Sequence, residues 1–236
     1  MRAASTTSSI PWARGSEVLL RVMVIAAYSV LWYAGYFFTN AWGSEPSRAI
    51  HMVRPCDLWP EIIQPWTAII YVFGGFFLPL LPCYYNWAWP KLRFVLVCYT
   101  ICSVLAFSCY LVWPLSIDRP SFEGPGFGRW LMRQVLTVDN EANCFPSSHV
   151  YYAVLGAILV RHGGAGRLVR RATYVLAAAV CATTVTTGQH YFLDIAGGAA
   201  VAVLSYLITR ALLPDQVGAK EGSLPLPVPL NKGVRP

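Results

Sequence analysis

The stretch Ala142–Val160, ANCFPSSHVYYAVLGAILV, sets Pro146, Ser147, Ser148 and His149 at the mouth of an apolar run. A polar group moved into an apolar environment without a partner costs on the order of 2–7 kcal/mol. These residues therefore need a reason to be there if the run is a membrane helix. The rest of the chain says that it is. Of 236 residues, 56% are hydrophobic and 12% charged, whereas a soluble domain carries about 25% charged residues. The apolar residues also fall in long runs, as an integral membrane protein requires. The net charge of +7 is spread over short loops, with no basic surface interleaved with aromatics. The bilayer is the expected partner, and nucleic acid is not.

Six runs approach the roughly 20 apolar residues that a span needs. They cover residues 18–39, 65–85, 92–117, 146–161, 171–187 and 190–213. The second contains a Gly-Gly pair and internal prolines, which membrane helices tolerate. The fourth and fifth are short, bounded by Arg161-His162 and Arg170-Arg171. The run from Val18 to Phe38 exceeds the core of a cleaved signal peptide, about 7–15 residues, and reads as an uncleaved first span. The expected fold is all-α, a six-transmembrane-helix bundle over residues 17–213. A flexible cytoplasmic N-terminus, 1–16, precedes it, and a disordered Pro-rich cytoplasmic tail, 214–236, follows. Trp32, Tyr33, Trp87 and Trp89 lie near the proposed boundaries and read as interface anchors.

Six spans put both termini on one side. Of the 18 lysines and arginines, only Arg48, Arg54, Arg119, Arg129 and Arg133 then fall on the other. By the positive-inside rule the first side is cytoplasmic, as expected for a plasma or inner membrane protein. Arg119, the Pro146–His149 stretch, His190 and Asp194 all sort to the extracytoplasmic side, which is where an active site is expected.

His190 and Asp194 are four residues apart and on a helix would share a face. A carboxylate on one imidazole nitrogen fixes the tautomer and leaves the other nitrogen to act as nucleophile or base. The plainer reading is a buried polar pair, although ionisable residues inside membrane spans are functional candidates by default. Pro146 suits a first helical turn. The N–H groups of Ser147, Ser148 and His149 would then lack helical partners and form an anion site. His149 beside it could donate a proton to a leaving group, or the stretch is a Ser-capped helix with an interfacial histidine. Arg119 matches phosphate oxygens bidentately, or is a headgroup or topology arginine. His51 reads as a solvated loop residue and His162 as an interfacial one. Cys98, Cys102 and Cys109 read as packing residues. Cys56 and Cys144 fall in extracytoplasmic loops, where a disulfide between them is possible. No cluster has metal-ligand spacing, so no metal or other cofactor is expected.

Taken together these residues resemble the type 2 phosphatidic acid phosphatase superfamily, which includes vanadium haloperoxidases and the inositol phosphorylceramide and sphingomyelin synthases. Its usual signature is K-x6-R-P, then P-S-G-H, then S-R-x5-H-x3-D. Here the fragments are Arg119-Pro120, Pro146-Ser147-Ser148-His149, and His190 with Asp194. The resemblance covers roughly residues 18–213. It implies that His190 attacks phosphorus and forms a phosphohistidine, Asp194 orients it, and His149 protonates the departing alcohol. Arg119, Ser147 and Ser148 would hold the phosphoryl oxygens of a lipid phosphate or phospholipid. The chain departs from the signature where the lysine is Val112, the serine and arginine before His190 are Thr183 and Thr184, and the motif glycine is Ser148. Two phosphate-binding cations are therefore missing, with Arg129 and Arg133 as candidate substitutes. HYFLDI and the C…SSHV stretch look like the inositol phosphorylceramide synthase-like subgroup. Three readings follow: a lipid phosphatase in which water resolves the phosphohistidine, a headgroup phosphotransferase in which a lipid hydroxyl does, and a non-catalytic membrane protein with a degraded site. A soluble haloperoxidase is disfavoured, since six spans leave no soluble body.

Overall fold

Long apolar runs with few breakers fold as helices, because in hydrocarbon every backbone polar group must be bonded within its own segment. The structure, a computed structural model, describes residues 11–52 and 60–214. Helix α1 covers Pro11–Gly43. The second run is irregular: a 3-10 turn at Pro65–Thr67, a π-helical segment at Ile70–Gly74, then α2 at Gly75–Tyr85 with Pro79 and Pro82 inside it. Then come α3 (Trp89–Val112), α4 (Phe127–Val138), α5 (Ser148–His162), α6 (Arg167–Thr186) and α7 (Phe192–Leu212).

Among the described residues, five stretches are long and apolar enough to cross a membrane: Gly15–Gly43, Pro65–Tyr85, Trp89–Val112, Arg167–Thr186 and Phe192–Leu212. The other expected span is α5, with 15 residues. At 1.5 Å per residue it reaches about 22 Å, short of the roughly 30 Å hydrocarbon core. Ten of those fifteen residues are buried, which makes α5 the centre of the bundle. It packs against α2, α6 and α7. Glycines permit the close approaches: a Cβ on Gly156 would stand 2.9 Å from the Leu78 carbonyl oxygen, and one on Gly198 of α7 would stand 2.9 Å from that of Ser147. Because α5 is short, the motif residues at its start are recessed into the bundle.

Helix α1 packs on α3, where a Cβ on Gly35 would meet the Phe107 ring at 2.5 Å. The main core joins Phe94, Val95, Cys98, Tyr99, Cys102 and Tyr110 of α3 to Tyr151, Tyr152, Leu155 and Leu159 of α5. Cys98 and Cys102 are packing residues, as read from their apolar surroundings.

The segment between the third and fourth runs departs from a plain loop. Helix α3 ends at Val112, before the expected 117, and Leu115–Ile117 (β2) pairs in parallel with Ile50–Met52 (β1), so the fold is mostly helical with one small sheet. His51 is exposed in β1. Helix α4 is amphipathic. Its Leu131 and Met132 are buried with Ala68, Tyr71 and Phe122, while Phe127, Trp130 and Val138 are exposed, the pattern of a helix lying at a membrane interface. Too short for a span and interrupted by Arg129 and Arg133, it gives a sequence search for long apolar runs nothing to find. Cys144 is a buried free thiol, and Cys56 lies outside the described residues.

Candidate active site

His190 immediately precedes α7, so its pairing with Asp194 does not arise from a shared helical face. Tyr191 is the N-cap, and Asp194, in the third helical position, reaches back across it. Asp194 Oδ2 accepts the Tyr191 backbone N–H at 2.8 Å and lies 3.3 Å from His190 Nδ1. This is half of a capping box, in which a third-position acid satisfies the cap's N–H. Both side chains are buried, at 7% and 1% exposure. The His190 N–H bonds to the Thr184 carbonyl at 3.1 Å. The turn leading there needs Gly188, at φ +66°, where a Cβ would meet Pro120 at 2.6 Å. That close approach seats Arg119-Pro120 beside the His190 turn.

The Pro146–His149 stretch joins the same cluster through its backbone. Ser147 is the N-cap of α5 and Pro146 precedes it, so Pro146 is outside the first helical turn expected for it. The Ser147 N–H donates to the Asp194 carbonyl at 3.2 Å. It is therefore committed to holding the two motifs together and is not an anion donor. Tyr110 donates to the Pro146 carbonyl at 2.6 Å. The Ser147 hydroxyl, His149 Nδ1 and Asp194 Oδ1 are buried with no hydrogen-bond partner among the described residues. Buried polar atoms are nearly always bonded, so each of these three motif residues keeps one buried atom open to a polar partner.

His149 is clamped between two parts of the second run. Its ring stacks on Tyr71 at 3.9 Å between centroids, and a Cβ on Gly75 would stand 2.5 Å from its Cδ2. Tyr71 lies in the π-helical segment, a backbone irregularity often found at functional sites. His149, Ser148 and Tyr71 line a cavity of about 520 Å³, shared with Trp32, Tyr33, Tyr36 and Asp139. Its walls are mostly apolar. Tyr33, Phe37, Phe76 and Leu80, at its α1 and α2 edges, are also exposed on the outside of the bundle. Trp32 and Tyr33, expected as interface anchors, are therefore part of this cavity wall.

Arg119 is held by Asp139. Its Nη2 donates to Asp139 Oδ2 at 2.9 Å and its Nη1 to the Asp139 carbonyl at 2.8 Å. Burial opposes the guanidinium charge, but the Asp139 carboxylate, assisted by Tyr71 and Tyr36, outweighs it and raises the Arg119 pKa above its ordinary value. The packing of Gly188 against Pro120 and the Ser147–Asp194 backbone hydrogen bond bring the three motif fragments together. Arg129 and Arg133, the candidate substitutes for the missing cations, bond local backbone carbonyls: Arg129 that of Pro125, and Arg133 those of Phe122 and Gly124. Val112 is 85% exposed at the end of α3. The Thr183 and Thr184 hydroxyls donate to carbonyls of their own helix. Among the described residues no group of three or more His, Cys, Asp or Glu side chains could hold a metal ion.

Sequence reasoning missed Tyr36, Tyr71, Gly75 and Asp139. The Gly-Gly pair in an apolar run was a usable signal for Gly75, since such a pair marks a close approach of backbone. Asp139 gave none, because its pairing with Arg119 depends on α4 folding between them.

A family model described as the PAP2 superfamily matches residues 60–208. No curated protein matches the chain, and no solved structure does.

Proposed function

The chain belongs to the PAP2 superfamily, and from that premise we propose that it is an integral membrane lipid phosphatase working through a phosphohistidine on His190. Membership supports phosphatase- or phosphotransferase-type activity. The observation that carries the finer reading is the double role of Asp194. Its carboxylate faces His190 Nδ1 while its carbonyl binds the Ser147 N–H, so one residue aligns the nucleophile with the acid-bearing helix.

With Nδ1–H directed at Asp194, His190 Nε2 keeps its lone pair. Nε2 attacks phosphorus, the P–O bond to the lipid alcohol breaks, and His149 donates a proton to the departing oxygen. Water then attacks the phosphohistidine, His149 takes its proton, and the P–N bond breaks to release phosphate. Arg119, Ser147 and Ser148 hold the equatorial oxygens, whose negative charge favours the protonated form of His149. The cavity beside His149, apolar and edged by bundle-surface residues, suits a lipid tail. The proposed orientation puts both termini in the cytoplasm and this site outside it. Arg161, Arg167, Arg170 and Arg171 at the opposite end support that orientation.

A second reading, headgroup phosphotransfer with a lipid hydroxyl in place of water, is favoured by one observation: neither Val112, Thr183 nor Thr184 supplies the cation that a phosphate dianion needs. Purified protein offered a lipid phosphate monoester and a lipid phosphodiester, with and without a lipid alcohol, separates the two. Free phosphate supports hydrolysis and a new headgroup lipid supports transfer. Neither product, with His190→Ala indistinguishable from wild type, leaves only the non-catalytic reading. Vanadate, as a five-coordinate phosphoryl mimic, is expected to inhibit, and a chelator is expected to leave activity unchanged.

A further inference from the structure

The carboxylate that holds Arg119 is itself held from the opposite side. Tyr36 of α1 donates its hydroxyl to Asp139 Oδ1 at 2.8 Å, while Oδ2 receives Arg119 at 2.9 Å. The segment behind Asp139 is bonded to the same helix. Asn40 donates to the Asn140 carbonyl at 3.2 Å and accepts the Asn140 N–H at 3.1 Å. Asn143 donates to the Tyr36 carbonyl and the Thr39 hydroxyl, both at 3.1 Å. Helix α1 lies wholly outside the family-matched residues 60–208. An element beyond the family region thus fixes the partner of the motif arginine. The side chains of Arg119 and Asp139 are 4% and 13% exposed, and Asp139 lines the same cavity as His149 and Ser148.

We propose that Asp139, anchored by Tyr36, is a specificity-determining residue: it offsets the charge of Arg119 and tunes the site to phosphate esters with one negative charge, phosphodiesters, over dianionic monoesters. The inference rests on the phosphoryl-transfer chemistry common to both readings above, and it favours the second, headgroup phosphotransfer, over the first. A dianion needs a second cation, and the positions that would supply one hold Val112 and Thr184. Two further acids lie nearby: Glu141, which accepts the Arg119 backbone N–H at 3.2 Å, and Asp194, which faces His190. A second negative charge on the substrate therefore meets carboxylates with no added counter-charge. At a few ångströms and an effective dielectric near 20, one unit charge changes binding by about tenfold or more.

The test compares phosphatidic acid with phosphatidylmethanol of the same acyl chains. The pH is 8, above the roughly pH 6 second ionisation of a phosphate monoester. Dissociation constants are measured in a His190→Ala background, where binding is read without turnover, and kcat/KM is measured with His190 intact. The wild-type site is expected to prefer phosphatidylmethanol. Asp139→Asn should shift the ratio toward phosphatidic acid by about tenfold or more, through Kd and KM rather than kcat. Asp139→Glu, which keeps the charge, should retain the wild-type preference and controls for misfolding. A ratio unchanged within twofold in Asp139→Asn, or a wild-type preference for phosphatidic acid, overturns the proposal. Binding ratios that shift as expected without turnover of either lipid would leave the charge assignment standing and reject the phosphoryl-transfer reading.

Discussion

The two ends of α5 carry arginines of opposite kinds. At the His162 end, Arg161, Arg167, Arg170 and Arg171 surround a basic hollow of about 330 Å³ with Tyr174. None of them has a carboxylate partner in an ion pair among the described residues. At the Ser148 end one arginine, Arg119, is buried and bonded to both the side chain and the carbonyl of Asp139. Charge count and chemistry are therefore separated along one helix. The many exposed arginines suit a topology signal, where number matters and geometry does not. The single buried one suits a task in which orientation matters, since a guanidinium fork held at two points is fixed in direction.

If that contrast is right, substitutions at the two ends differ by orders of magnitude. His190→Ala should remove the nucleophile and lower kcat/KM by about four orders of magnitude or more, read with a lipid phosphate in detergent. A loss under tenfold would break the comparison. His149→Ala should cost about 10²–10⁴-fold in kcat, the usual worth of a general acid. A leaving group of lower pKa should recover part of that loss, and equal losses on good and poor leaving groups would deny His149 the role of acid. Gly75→Ala puts a methyl group where His149 Cδ2 now lies, 2.5 Å from the ideal Cβ. Overpacking of this kind typically costs about 1–3 kcal/mol. We expect a lower Tm and a fall in kcat larger than any rise in KM, as the acid is pushed out of line. At the other end, Arg167→Gln should leave kcat/KM within about twofold, as a solvated charge remote from the site should.

The smallest expected effect concerns Cys144. Burial first, and then the Asp194 carboxylate, push its thiol pKa well above the ordinary value. The thiol therefore stays protonated at neutral pH, and alkylation by maleimide should be slow in folded protein and fast after denaturation. Rapid labelling of folded protein at pH 7 would show that the segment around Cys144 opens readily.

Much of this contrast was legible in the sequence, and the reasons differ by residue. Long apolar runs announce helices, and the arginine-rich 161–171 segment announces a topology end. The placement of His149, His190 and Asp194 together at one end was expected from a count of six spans, of which five are long and apolar enough to cross a membrane among the described residues. The basis for the His190–Asp194 pairing did not follow, because a four-residue spacing reads as a helical face while the pair is formed across an N-cap. The shortness of α5 was visible, but the burial of ten of its fifteen residues was not, because periodicity cannot tell a central helix from a lipid-facing one. Tyr36 and Asp139 were hidden for a simpler reason: they are 103 residues apart, and only the packing of α1 against the end of α4 brings them together at Arg119.

On the proposed chemistry His190 carries the phosphoryl group. Wild-type protein should be mixed with a 32P-labelled lipid phosphate, quenched in alkali within the first turnovers, and digested. An alkali-stable, acid-labile label is expected on the peptide containing His190, and none in His190→Ala. Steady turnover with no label on that peptide, or label on another residue, would contradict it.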